Sequence, residues 1–230
     1  MGVRVKDLLS VLPPELLSTA TEALKSMKVG PDHELSDDQL TEVYRALSAE
    51  VGSTKVYKLL RDAGILRERL RLKAFIVGDS GVGKTTFCVK LATGIFKEGY
   101  KMTVGVDFYA IELIHDDKLV KLILWDLAGQ ERFGFVRPTF YSGASGGFIA
   151  FALDLPSTLS NVPGWLEEVR QNAGEVPCIL LGTKLDLAPD NPEALKVVKK
   201  LGLHSYVPIS SKTGENLGLA VKTLLSACLR

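Results

Sequence analysis

Residues 78–85 read Gly-Asp-Ser-Gly-Val-Gly-Lys-Thr, which matches the G-x-x-x-x-G-K-[ST] pattern of a phosphate-binding loop. An apolar run at 72–77 precedes this loop, and a helical pattern from Thr85 to Leu91 follows it. Glycines let the backbone wrap closely round a phosphate chain, and the N–H groups that open the next helix face the anion. A glycine-rich turn without a ligand is the alternative for the motif alone. The order strand, loop, helix favours nucleotide binding.

The loop also predicts individual contacts. We expect the Lys84 ammonium to reach the β- and γ-phosphates and the Thr85 hydroxyl to ligate Mg²⁺. The predicted phosphate-binding residues are Ser80, Gly81, Val82, Gly83, Lys84, Thr85 and Thr86.

Composition excludes several classes of protein. The 230 residues are 46% hydrophobic, which is enough for a proper core, and the formal net charge is only +1. Basic and acidic residues balance on both sides of residue 71, so we expect no nucleic-acid partner. The cysteines are isolated in sequence and fit a reducing cytoplasm, with Cys88 and Cys178 at buried positions. The three histidines, His33, His115 and His204, lie in turns or at element ends and are predicted to be surface residues.

Membrane signals are missing from this sequence. No apolar run approaches the roughly 18 residues of a membrane span. The N-terminus does not resemble a signal peptide, and Lys6 stands where the myristoylation pattern needs Ser or Thr. Cys228 has too few residues after it for a prenylation box. We therefore expect no intrinsic membrane anchor and a cytoplasmic location, with any recruitment to membranes made by a partner.

From residue 71 onward, short β-rich runs alternate with helical ones, which indicates a mostly parallel sheet covered on both faces. The predicted strands are 72–77, 106–114, 119–125, 147–153, 177–181 and 206–209. The predicted helices are roughly 84–93, 136–141, 158–172, 192–201 and 215–228. The second and third strands are joined by His-Asp-Asp-Lys and predict a hairpin, hence one antiparallel edge strand. Ligands of such sheets bind at the carboxyl ends of the strands.

Residues 1–70 lack this alternation and predict a small all-α region of about four amphipathic helices. Pro13-Pro14 opens the second helix, and Ser36 with Gln39 forms a capping box for the third. Gly52 begins the last helix. This helical appendage either docks on the rest of the chain, or recruits a partner, or is an independently folded bundle without a regulatory role.

Two further segments have a characteristic sequence. They are Thr103-Val-Gly-Val-Asp-Phe and Trp125-Asp-Leu-Ala-Gly-Gln-Glu-Arg-Phe. With the phosphate-binding loop, they make residues 71–230 resemble a Ras-like small GTPase, and most of all the Rab branch. The resemblance implies an α/β fold of the P-loop NTPase (Ras-like) type, with a mostly parallel six-stranded sheet and helices on both faces. The first 70 residues have no counterpart in the usual plan of that family.

The resemblance assigns roles at the phosphate end of the site. Thr103, in the first switch, would complete the Mg²⁺ shell with Thr85, and Asp126 would hold the ion through water. Gly129 would offer its N–H to the γ-phosphate, and Gln130 would orient the attacking water. The implied catalytic residues are Gln130, Lys84 and Thr103.

The resemblance also assigns the base end. Phe96 and Tyr100 match the positions that stack on the base edge and cover the phosphates. Thr183-Lys184-Leu185-Asp186 matches the guanine motif, in which Asp186 accepts two hydrogen bonds from the base and the Lys184 stem lies along the ring. The last guanine motif is matched by Ser210, Ser211 and Lys212.

Three positions depart from the family pattern. Thr183 stands in place of Asn, Ser211 in place of Ala, and Leu127 in place of Thr. None of these changes removes a catalytic group, so we expect guanine preference to survive, while Leu127 alters how the second switch packs. No built-in arginine finger is evident, because Arg132 and Arg137 occupy switch-region positions.

These residues predict a monomeric GTP-hydrolysing molecular switch with GTP/GDP and Mg²⁺ as its ligands. Effectors, exchange factors and GTPase-activating proteins would bind through residues 100–108 and 127–141. Two alternatives stay open at this stage. One is a guanine-nucleotide-bound scaffold with negligible hydrolysis, and the more distant one is a metabolic P-loop kinase.

Overall fold

The computed structural model describes residues 2–96, 103, 105–130, 134–135 and 137–229. The chain divides into two compact units. The first comprises residues 1–71 and 112–121, and the second comprises residues 72–111 and 122–230. Among the described residues, no helix combines the length and the apolar character that a membrane span requires.

The first unit is built mainly from helices, as predicted. Its elements are β1 (Val3–Arg4), α1 (Val5–Val11), α2 (Pro14–Ser26), β2 (Glu34–Leu35), α3 (Asp37–Val51) and α4 (Ser53–Asp62). The predicted capping box of α3 is confirmed, because the Gln39 N–H donates to the Ser36 hydroxyl and the Ser36 N–H donates to the Gln39 side chain. The core of this unit contains Tyr44 and Leu47, both at most 1% exposed.

Residues 112–121, here called the hairpin tip, also belong to the first unit. They join β4 (Val106–His115) to β5 (Lys118–Leu127), and the two-residue turn has positive φ at Asp116 and Asp117. This conformation is typical of the type I′ hairpin turn. Ile114 and Leu119 are buried among the helices, and the Ile114 N–H donates to the Thr41 hydroxyl at 2.8 Å. The hairpin tip therefore completes the core of the helical unit.

The prediction of a surface position was wrong for His115, which is only 6% exposed. Its Nδ1 atom lies 3.6 Å from the Asp37 carboxylate and its Nε2 atom lies 3.7 Å from the Asp116 carboxylate. The reason is the packing of the hairpin tip against α3, which a turn-like sequence does not reveal.

The second unit carries the sheet whose fold class was predicted. Among the described residues the strand order is β4-β5-β3-β6-β7-β8, with β3 (Glu68–Gly78), β6 (Gly146–Ala152), β7 (Cys178–Thr183) and β8 (Ser205–Pro208). The pairs β3–β6, β6–β7 and β7–β8 are parallel, and β4 lies at the edge, as expected of the hairpin strand. Every residue of β6 and β7 is buried, which requires cover on both faces.

The helices of this unit follow the predicted alternation, and some of their boundaries differ in detail. They are α5 (Lys84–Thr93), α6 (Arg137–Tyr141), α7 (Val162–Ala173), α8 (Glu193–Leu201) and α9 (Leu217–Cys228). The segment predicted as one helix over 158–172 starts as a 3₁₀-helix, Pro156–Asn161, because Pro163 fits only the first turn of α7.

Strand β3 starts at Glu68 rather than at 72. Its first residues pair by charge with the hairpin tip, as in the Arg69–Glu112 contact at 2.7 Å.

Candidate guanine-nucleotide site

The loop between β3 and α5 has the backbone that its glycines predict. Gly78, Gly81 and Gly83 have positive φ angles of 139°, 78° and 93°. A Cβ atom at Gly78 would lie 2.1 Å from the Ala150 carbonyl oxygen, so no other residue fits there without a shift. Gly83 is the N-cap of α5. The N–H groups that open the helix are thus placed to face an anion.

Lys84 is folded back over this loop. Its Nζ donates to the carbonyl oxygens of Gly78 and Asp79, each at 2.8 Å, and the side chain is buried. Burial lowers the pKa of Lys84 to about 8, and the nearby carboxylates of Asp126 and Asp79 oppose that shift. A phosphate group at the loop would supply the missing negative charge, which is the electrostatic condition of an anion site.

Asp126, at the end of β5, forms a compact oxygen cluster with the two threonines of the predicted metal site. Thr85 Oγ1 donates to Asp126 Oδ2 at 2.5 Å, Thr103 Oγ1 lies 3.2 Å from the same oxygen, and the two hydroxyls are 2.5 Å apart. Asp126 is fully buried, and burial raises the pKa of its carboxyl despite the hydrogen bonds that lower it.

The donor set suits Mg²⁺. In the described part of the chain, Asp126 Oδ1 is a buried oxygen without a hydrogen-bond partner. Such an atom is costly to bury unless a cation or its bound water satisfies it. Two hydroxyls and a carboxylate are hard oxygen ligands, and Mg²⁺ usually combines a few of these with phosphate oxygens and water.

The second switch lies against the phosphate-binding loop at Gly129. A Cβ atom there would meet the Gly78 carbonyl oxygen at 2.3 Å and the Ser80 nitrogen at 2.7 Å, so only glycine allows this approach. Gln130 follows and is half-buried. The Ala128 N–H donates to the Gly105 carbonyl at 3.0 Å and so links the start of β4 to the residues before Gly129.

The predicted guanine motif begins at the carboxyl end of β7. The Thr183 hydroxyl lies 2.5 Å from the Val82 carbonyl and 3.0 Å from the Phe151 carbonyl, so it ties the motif to the phosphate-binding loop. Lys184 has a positive φ of 63°, and its Nζ pairs with Asp154 at 3.0 Å.

The two guanine motifs meet at Asp186. The Ser210 hydroxyl donates to one oxygen of this carboxylate at 2.6 Å, and the Leu185 N–H donates to the Ile209 carbonyl. Asp186 is exposed, whereas Ser210 and Ser211 are buried and Lys212 is exposed. The Asp186 carboxylate is therefore held in place from one side and accessible to a base from the other.

The two aromatic predictions have different outcomes. Phe96 is half-buried just after α5, and its role at the base stays a prediction. Tyr100 lies outside the described residues. Thr86 lies in the first turn of α5 and is half-buried.

Sequence reasoning missed a group of side-chain contacts that joins α6, α7 and the 3₁₀-helix before α7 to Asp79 of the phosphate-binding loop. The Asp79 carboxylate accepts hydrogen bonds from the side chains of Asn161 and Trp165, each at 2.7 Å. Arg137, expected only as a switch-region residue, is 5% exposed and forms a bidentate pair with Glu168. A cavity of about 610 Å³ opens beside Ser80, Gly129 and these residues. No sequence motif predicts these contacts, because they join distant parts of the sequence.

Comparison with known proteins agrees with this geometry. The Ras family matches residues 73–230. The Ras-related protein Rab7 of Vigna aconitifolia is 34% identical over 175 residues, which cover 71% of this chain and 85% of that protein. The human Ras-related protein Rab-19 is 35% identical over 63% of this chain and 69% of its own length. The GTP-binding protein yptV2 of Volvox carteri is 39% identical over 120 residues, which cover 52% of this chain and about half of that protein, 55%. The chain thus belongs to the Ras family, as a Rab-like GTPase with an additional N-terminal helical region.

Proposed function

We propose that the protein is a magnesium-dependent switch that binds GTP and GDP and slowly hydrolyses GTP. The observation that carries the proposal is the cluster of Thr85, Thr103 and Asp126 beside the phosphate-binding loop, with the unpartnered Asp126 Oδ1 atom. Thr103 comes from the first switch and Asp126 precedes the second. A ligand that satisfies this cluster would therefore order both segments, and loss of the terminal phosphate would release them.

Each residue has a distinct part in binding. Lys84 gives up its contacts with the loop carbonyls and binds the β- and γ-phosphates. A bound Mg²⁺ would supply positive charge that neutralises the charge developing on the phosphates during the reaction. Thr85 and Thr103 would offer hydroxyl oxygens to the ion, and Asp126 would hold it through water.

Hydrolysis would depend on positioning rather than on covalent catalysis. Gln130 orients the attacking water while the Gly129 N–H holds the γ-phosphate. Arg137 cannot serve as an arginine finger, because its guanidinium is bound to Glu168 and to backbone carbonyls. Turnover without an activator should then be about 10⁻⁴ to 10⁻³ s⁻¹.

Guanine preference is proposed to come from Asp186. Its carboxylate can accept hydrogen bonds from guanine N1–H and the 2-amino group, and adenine offers no matching donors. The hydrogen bond from Ser210 supports this role because it fixes the carboxylate without occupying its exposed side.

Partner proteins are proposed to bind through residues 100–108 and 127–141. Among the described residues of these ranges, two large apolar side chains are exposed, Phe108 at 60% and Phe135 at 83%. The Phe108 ring packs on Trp125 with centroids 5.5 Å apart, and Trp125 packs on Phe140 at 5.1 Å. Exposed aromatic surface of this kind suits an effector, an exchange factor or an activating protein.

Two measurements test the switch together. Nucleotide released from the purified protein should be GDP or GTP, and single-turnover hydrolysis should need Mg²⁺ and fall in Gln130→Leu. Preference for ATP would contradict the guanine site and would favour a kinase. An unchanged rate in Gln130→Leu would contradict the catalytic assignment. Bound guanine nucleotide without measurable turnover would instead support the scaffold alternative.

For residues 1–70 we propose a regulatory or partner-binding role. The support is that the family match starts at residue 73, so this region lies outside the part of the chain that matches the family. Co-purification of the GTP-bound and GDP-bound forms, with and without substitutions on the exposed faces of α2 and α3, tests the role. Identical partners and identical nucleotide exchange in all cases would contradict it.

A further inference from the structure

The buried Arg137 side chain is bound on both edges of its guanidinium. Nε and Nη2 donate to the two carboxylate oxygens of Glu168 at 2.6 and 2.7 Å. The Tyr141 hydroxyl donates to the same carboxylate at 2.8 Å, and burial beside Glu168 raises the pKa of Tyr141, which keeps the phenol protonated as a donor. Glu168 on α7 therefore fixes the orientation of the guanidinium.

The other edge of the guanidinium contacts the backbone of the second switch. Nη1 donates to the Ala128 carbonyl at 3.1 Å and to the Gln130 carbonyl at 3.2 Å. These two carbonyls belong to the residues on either side of Gly129. One side chain thus restrains both the peptide that approaches the phosphate-binding loop and the residue that carries the catalytic amide.

Trp165 connects this arrangement to the phosphate-binding loop. The Arg137 guanidinium lies over the Trp165 ring, 4.7 Å from its centroid. The Trp165 Nε1–H donates to the Asp79 carboxylate at 2.7 Å. Asn161 donates to the other oxygen of Asp79. Side chains of the same helix, α7, therefore contact both the phosphate-binding loop and the side chain that binds the second switch.

We propose that Arg137 is the positioning residue that holds Gln130 in register with the phosphate-binding loop for hydrolysis; this inference rests on the proposed function. A buried ion pair is weak evidence for stability, since its desolvation offsets most of its attraction. A planar guanidinium, however, can hold a carboxylate with one edge and two carbonyls with the other, which an ammonium cannot do. The arrangement is thus suited to fixing geometry.

The test measures three quantities in the GDP- or GTP-loaded full chain: single-turnover hydrolysis, GDP dissociation and melting temperature. Arg137→Ala and Arg137→Lys are compared with Arg170→Ala, a matched change on α7 at an exposed arginine that pairs with Glu175. We expect hydrolysis in Arg137→Ala to fall about 10- to 100-fold, as for a misplaced catalytic group. GDP dissociation should change much less, and Arg170→Ala should hydrolyse at the wild-type rate.

Arg137→Lys decides the matter if the alanine variant does not fold. It retains the charge but not the fork, so we expect a folded, nucleotide-bound protein with clearly reduced hydrolysis. Wild-type hydrolysis in Arg137→Lys, or a rate that falls only in proportion to nucleotide loss, would overturn the inference and leave the proposed function intact. Absence of hydrolysis in the wild-type protein would overturn both.

Discussion

At the scale of single residues, the site holds two buried ionisable groups that the surrounding protein atoms do not fully compensate. Lys84 donates to carbonyls rather than to a carboxylate, and Asp126 has one oxygen without a partner among the described residues. The pKa of Lys84 is lowered and that of Asp126 is raised, each mainly by burial. Both groups should thus stabilise the nucleotide complex at the expense of the nucleotide-free protein.

The first prediction concerns Asp126→Asn. The raised pKa means that the folded, nucleotide-free protein holds the Asp126 proton more tightly than the unfolded chain does. Its contribution to stability is present at low pH and is lost as pH rises through the folded pKa. Asn mimics the neutral carboxyl, so urea unfolding should show a variant that is at least as stable as wild type at neutral pH.

The same variant should bind Mg²⁺ poorly. Loss of an outer-shell carboxylate typically weakens metal affinity about 10- to 100-fold. Titration of Mg²⁺ against retention of fluorescent GDP measures this effect, with Asp62→Asn, at an exposed aspartate at the end of α4, as the control. Equal Mg²⁺ dependence in Asp126→Asn and wild type would remove Asp126 from the metal site.

The second prediction concerns Lys84→Met. Because the folded pKa of Lys84 is about 8 and the ordinary value is 10.5, the unfolded chain binds more protons between these values. Stability of the nucleotide-free protein should therefore rise with pH across that window, by on the order of 2 kcal/mol from this residue. Unfolding curves at either end of the window should show this rise in wild type and a smaller one in Lys84→Met. The variant should also lose nucleotide affinity by about 100-fold.

Sequence reasoning at this scale identified the residues of motifs but not their burial or partners. Thr85, Thr103 and Asp126 were named from the resemblance, and the structure brings their oxygens together. Arg137 and Glu168 were not paired, because nothing in either local sequence specifies a partner on another helix. His115 was misplaced for the same reason, since its burial depends on α3.

At the scale of elements, most strands and helices could be predicted because each carries its own periodicity and its own end signals. Strand β6 is a continuous apolar run, and α3 has its capping box in sequence. The start of β3 lies beside residues that are distant in sequence, since Glu68 and Arg69 pair with Lys118 and Glu112 of the hairpin tip. The start of α7, by contrast, follows from Pro163 in its first turn, a local signal that the predicted helix over 158–172 did not take into account.

The third prediction belongs to the contact between the second switch and the phosphate-binding loop. Gly129→Ala would place a methyl group 2.3 Å from the Gly78 carbonyl, so the two segments must separate. We expect a loss of about 1 to 3 kcal/mol in the free energy of unfolding and loss of single-turnover hydrolysis. Gly30→Ala is the control, since a methyl group there meets nothing within 4 Å. Equal hydrolysis in both variants would contradict the close contact.

At the scale of the whole molecule, the division into units does not follow the chain. The sequence suggested a boundary near residue 70, yet the hairpin tip, 112–121, lies in the same compact unit as residues 1–71. Ile114 and Leu119 are at most 1% exposed within the helical core. Sequence could not reveal this sharing, because each apolar residue of the hairpin also suits an ordinary strand.

The fourth prediction follows from that shared core. A chain that starts at Leu72 would expose Ile114 and Leu119, and each buried side chain is worth about 1.5 to 3 kcal/mol. We expect this shorter chain to unfold at lower guanidinium concentration and to aggregate.

Leu119→Lys should then have opposite effects in the full chain and in the shorter chain. In the full chain it buries a charge and destabilises, whereas in the shorter chain it removes exposed apolar surface and improves solubility. Lys121→Ala, at the end of the hairpin tip and only half-buried, controls for a general effect of substitution. If Leu119→Lys destabilised neither background, the hairpin tip would not be part of the helical core.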